Sequence, residues 1–152
     1  MKTLDEFEFA AIIQTIHDKI NYSFDDSGSK VYGILLDENN NPTIEQVHSS
    51  VDVYQSLEEL METPEALKDY DIFTIATLGW AAPIADDNEP EIAPSQHPER
   101  RRVRVLSNTS STGMVGSSVL FQDDINDPVF DYGNARGALH DAIMNLFKAV
   151  HN

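Results

Sequence analysis

The chain has 152 residues, no cysteine, and 26 acidic against 10 basic side chains, for a formal net charge of −16. Those totals exclude disulfides, thiol nucleophiles and cysteine–zinc sites. They argue against direct binding of nucleic acid or anionic lipid, which so negative a surface repels.

At 41% hydrophobic and 24% charged, the chain is expected to form one globular domain, residues 1–152, around a single core. Met1 to Phe9 alternates charged and aromatic residues and lacks the basic and apolar regions of a signal peptide. No apolar run approaches the ~18–20 residues of a membrane helix. With the missing cysteines, these features favour a cytoplasmic protein.

Thr3 and Glu6 have capping-box spacing and predict a helix start. Phe9, Ile13, Ile16 and Ile20 continue at helical spacing, widened by Leu4 and Ile12. The helix should stop by Asn21. Val31 to Leu36 reads as a strand ending in the turn-rich Asp37 to Pro42, with Thr43 to Val47 returning antiparallel to it. Leu57, Leu60 and Met61 mark a short helix with Ser56 as its N-cap. Thr63-Pro64 opens a second turn, with proline at the first helical position. Glu58 to Asp71 should carry a strongly negative outer face.

Asp71 to Trp80 is a nearly continuous apolar run, as in a strand covered on both faces. Pro83, Pro90, Pro94 and Pro98 then predict a long acidic loop over 81–98. Arg100 to Ser107 and Met114 to Gln122 read as a hairpin, followed by an acidic loop from Asp123 to Gly133. Leu139, Ile143, Leu146, Phe147 and Val150 lie on one face of a last helix. The predicted class is α+β, an antiparallel sheet of about five strands with terminal helices in the order α-β-β-α-β-β-β-α. That order resembles the profilin-like and roadblock-like folds. The resemblance is one of element order, so no functional residue follows from it.

Arg100, Arg101, Arg102 and Arg104 are four of the ten basic residues. On a strand, Arg102 and Arg104 share a face with Leu106, while Arg101 shares the other with Val103 and Val105, the expected core side. Guanidinium forks bind phosphate and carboxylate. The cluster is therefore a candidate anion site, against the plainer reading that it pairs with neighbouring acids. His97 on the preceding loop invites an acid–base role, but no partner stands at a telling spacing. Trp80, the single tryptophan, stands where the apolar strand meets the loop. Trp80, His97, Arg100, Arg102 and Arg104 are thus the candidate ligand- or partner-binding residues, with no catalytic set and no metal ligands assigned.

Asp37, Asn39 and Asn41 copy the start of a calcium loop, but Pro42 stands where glycine is needed and His48 where a bidentate glutamate is needed. Asp123, Asp124, Asn126, Asp127 and Asp131 form a looser cluster that turn chemistry explains, with a weak cation site as the alternative reading. No cofactor is implied. The expected function is a non-enzymatic interaction or adaptor protein binding a protein partner, a basic one where Glu58 to Asp71 is the contact. One alternative is a module binding a phosphate- or nucleotide-type anion between the 81–98 loop and the arginine strand. Another is an acidic inhibitor mimicking nucleic acid. A homodimer is a further option, because small sheets must manage their edges.

Overall fold

A computed structural model describes residues 3–20, 23–24, 28–82, 92–133 and 138–151. The middle of the predicted proline-rich loop, from Pro83 to Glu91, lies outside the described residues.

The first helix, α1 (Glu6–Lys19), starts two residues later than its sequence suggested. Asp5, not Thr3, is the N-cap, and Glu8 completes the capping box. The Glu8 N–H donates to Asp5 Oδ1 at 2.8 Å, and the Asp5 N–H donates to Glu8 Oε1 at 3.1 Å. Two acids thereby satisfy backbone donors that helix geometry leaves open.

Strands β1 (Ser29–Leu36) and β2 (Pro42–Ser50) form the expected hairpin. Its turn is closed by Asp37, whose Oδ1 accepts the N–H groups of Asn39 at 2.8 Å and Asn41 at 2.9 Å. The calcium-like spacing is therefore turn chemistry. Helix α2 (Val53–Glu62) begins one turn earlier than predicted. Asp52 caps it by accepting from the Gln55 N–H at 2.8 Å, and Ser56, the expected cap, is buried inside it. A 3₁₀ turn at Pro64–Leu67 follows, with proline at its start.

Strands β3 (Ile72–Ala81) and β4 (Arg101–Ser110) pair antiparallel over ten residues each. β5 (Val115–Phe121) follows as predicted. The expected acidic loop after it is instead a sixth strand, β6 (Asp124–Asp131), paired to β5. Pro128 and the flanking aspartates disguise this strand in the sequence, and an edge strand tolerates both. Helix α3 (Ala138–Val150) closes the chain.

The sheet order is β2-β1-β3-β4-β5-β6, antiparallel between every pair of neighbours. α1 packs on one face, where Phe9, Ile12, Ile13 and Ile16 meet Ile34, Ile72, Ala76 and Leu106. α2, the 3₁₀ turn and α3 cover the other face, where Leu57, Leu60, Leu67, Ile143 and Leu146 meet Val31, Phe73 and Ile75. Because both faces carry a core, the arginine strand has no single core side: Val103 and Leu106 are both buried, on opposite faces.

One contact sets how closely α1 approaches the sheet, and another ties strand ends together within it. Gly116 on β5 lies directly under α1, where an added Cβ would collide with the Ile13 Cδ1 and press on the Phe9 ring at 3.2 Å. Ile13 is fully buried, so it has nowhere to move. Asp71 ties three elements together. Its carboxylate accepts the Leu36 N–H at 2.8 Å, its own N–H donates to the Ile34 carbonyl at 2.9 Å, and its carbonyl accepts the Ser111 N–H at 2.8 Å.

Gly116→Val should overpack the α1–β5 contact and destabilise the protein by about 1–3 kcal/mol. At about 2–4 °C per kcal/mol for a chain of this size, thermal denaturation reads this as a clear fall in Tm. An unchanged Tm would show that α1 does not seat closely on β5.

Candidate functional site

The β3–β4 register decides which candidate residues meet. Trp80 is the cross-strand partner of Arg102, and Leu78 that of Arg104. The Arg102 guanidinium lies 4.9 Å from the centre of the Trp80 ring, and Arg100, just before the strand, lies at the same distance. Both are cation–π contacts. Trp80 remains 38% exposed. The single tryptophan thus stands at the end of the two central strands with two cations against it.

His97 joins this group through its backbone. It ends the short 3₁₀ turn Pro94–Gln96, and its carbonyl accepts the Arg100 N–H at 3.1 Å and the Arg100 Nη1 at 3.2 Å. Its ring Nδ1 accepts the Glu99 N–H at 3.0 Å. The lone pair that a general base would use is therefore engaged in holding the turn. This histidine positions Arg100 against Trp80.

The other two arginines go elsewhere. Arg101 lies over the Phe121 ring at 3.9 Å, and its Nε donates to Asp123 Oδ2 at 2.9 Å. That ion pair holds the Asp123 carboxyl below its usual range and raises the Arg101 pKa. Arg101 follows the plainer reading, internal pairing with an acid, in a solvent-exposed pair of small energetic weight. Arg104 is 8% exposed and belongs to the interior, on the face beneath α1. Burial pushes its pKa down, and its interaction with Tyr32 acts the other way. The alternation that put Arg102 and Arg104 on one face is observed, yet one step along the strand separates surface from core.

Arg104 has a second consequence. His17 of α1 is also buried, its Nδ1 lying 2.9 Å from the Ser118 Oγ and its ring edge-on to Phe130 at 5.5 Å between centres. Burial lowers the His17 pKa, Arg104 lowers it further, and Asp18 partly opposes them. A folded-state pKa below the unfolded value means that the unfolded chain binds more protons. Stability from this group is then full above the unfolded pKa of ~6.5 and lost as pH falls. Thermal denaturation between neutral and mildly acid pH should show declining stability, by at most about 1.4 kcal/mol per pH unit for each such histidine. His17→Gln should flatten that decline. His151, lowered by burial alone, contributes in the same direction.

One feature was invisible to residue spacing. A cavity of about 160 Å³ lies between the β4–β5–β6 part of the sheet and the start of α3, lined in part by Ser107, Ser117, Asp131 and His140. These residues are brought together by strand register and by helix docking, neither of which leaves a local signature.

Comparison with known protein families, with curated proteins and with solved structures returned no match. No described helix is long and apolar enough to cross a membrane.

Proposed function

We propose that the protein is a non-enzymatic interaction module that contacts a macromolecular partner through Trp80, Arg100 and Arg102, with His97 as the positioning residue. One observation carries the reading: a part-exposed indole with two guanidinium groups, each 4.9 Å from its centre, at the end of the sheet's central strand pair. Tryptophan and arginine dominate the energetics of protein interfaces, because each combines apolar area with directional polar contact. Here both come on a rigid element, so little ordering entropy is lost on binding. The guanidinium groups favour carboxylate or phosphate groups on the partner segment that meets them.

The acidic face of α2 supports a second contact, for a basic partner. Glu58 and Glu62 are exposed there, with Tyr54 and Met61 exposed beside them. The two readings separate by mutation. The Trp80 reading expects a partner retained by the wild-type protein to be lost by both Trp80→Ala and Arg102→Ala, each checked for an intact fold. A loss of about 2 kcal/mol or more, roughly 30-fold in Kd, is the range for such residues. Retention by both variants, with loss on charge reversal at Glu58 and Glu62, would instead assign the contact to α2.

A further inference from the structure

A sheet face that lies under a helix is expected to be apolar. The α3 side of β4 and β5 begins so, with Val105 and its cross-strand partner Val119. The next row is polar: Ser107, Ser117 and Asp131, each the register partner of its neighbour on β4, β5 and β6. Serine is smaller than valine, and the space left is the cavity of about 160 Å³, roofed by Leu139, His140 and Ile143 of α3. Ser107, Ser117 and His140 are only part-buried, so the cavity is reachable from solvent. The polar groups of this lining differ in one respect. Asp131 already has an interaction partner. The side chains of Ser107, Ser117 and His140 make no hydrogen bond or ion pair among the described residues. Their capacity to donate and accept is open to whatever enters the cavity.

From this arrangement we infer that the cavity is a binding site for a small neutral alcohol, a hydroxyl group carried on a single ring. The volume matches cavities known to accept a benzene-sized molecule. Val105, Leu139 and Ile143 supply an apolar wall for the ring. Across from that wall, two serine hydroxyls and an imidazole can each donate or accept, which suits a ligand hydroxyl that does both. Charge excludes the other classes. An ammonium group would lose its hydration in the cavity without gaining an open carboxylate, because Asp131 is engaged. A carboxylate or phosphate would enter a protein of net charge −16 and meet no lysine or arginine among the described lining residues. The site lies on the α2/α3 face of the sheet, opposite Trp80 and Arg102, and does not depend on the partner-binding reading.

Benzyl alcohol is the probe. Toluene lacks its hydroxyl, and benzylamine and benzoate are cationic and anionic counterparts of similar size. Titrating the ¹⁵N-labelled protein should give saturable benzyl alcohol binding with Kd of about 1 mM or tighter, and weaker binding of the other three. The amide shifts should centre on residues 105–117 and 139–143. Ser107→Ala with Ser117→Ala removes both hydroxyls and keeps the space. It should weaken benzyl alcohol by about 2–10-fold, the range for losing neutral hydrogen bonds, and leave toluene unchanged. Ser107→Val with Ser117→Val should fill part of the cavity and abolish binding of both while the Tm holds or rises. The inference is overturned if benzyl alcohol does not saturate, or if toluene, benzylamine or benzoate binds as tightly. Shifts that map away from the cavity overturn it too, as does unchanged affinity in the folded variants. Should a variant fail to fold, the ligand series and the shift map on the wild-type protein still decide the matter.

Discussion

The antiparallel pairing of β3 with β4 is the constraint on which the rest of the molecule depends. These two ten-residue strands form the middle of the sheet, and both of their faces are covered. A shift of one residue would exchange the faces of one strand against the other, setting Arg104 among the residues under α2 and α3 and Val103 beneath α1. The same register sets Trp80 against Arg102 at one end and, through β5 and β6, assembles the Ser107–Ser117–Asp131 row near the other. The two proposed binding sites are thus consequences of one hydrogen-bonded ladder, on opposite faces of it.

The large negative charge divides into two populations. Asp5, Asp37, Asp52 and Asp71 accept backbone N–H groups at helix starts, a turn and a strand end. Asp123 holds Arg101. These acids are part of the architecture, and their charge is tied to local geometry. Glu58, Glu62 and Glu65 are exposed around α2 and add to the protein's outward negative field. The Trp80 cluster stands out against this background because its two arginines lie on an aromatic ring. Among the described residues, Arg101, one residue away, differs in being paired with a carboxylate as well as lying on Phe121.

Much of the fold was legible from residue pattern. The apolar run of β3, the helical stripe of α1 and the terminal helix α3 follow directly from burial on both sides of a sheet. What was hidden had physical reasons. The Thr3–Glu6 spacing imitated the Asp5–Glu8 box because acids crowd that end of the chain, and any of several residues could cap. β6 looked like a loop because an edge strand can hold Pro128 and aspartates that a central strand cannot. Of the candidate site, the association of Trp80 with Arg102 followed from the two strands leaving one loop, but Arg104 did not belong with it. Alternation assigns a face, whereas depth depends on where α1 ends, which a two-residue period does not encode. The Ser107 row was beyond sequence pattern altogether, since it is defined only across three strands.

The claim that Trp80 sits in a local cationic field on an otherwise acidic protein can be tested by fluorescence quenching. Trp80 is the only tryptophan, so the emission reports one position. Iodide and caesium quench on contact, and their efficiencies, each normalised to free tryptophan, read the sign of the local potential. The account predicts that iodide quenches more strongly than caesium despite the net charge of −16, and that Arg100→Ala with Arg102→Ala reverses the order. Stronger quenching by caesium in the wild-type protein would contradict it, because the field at the ring would then be that of the whole acidic surface and not of the two arginines.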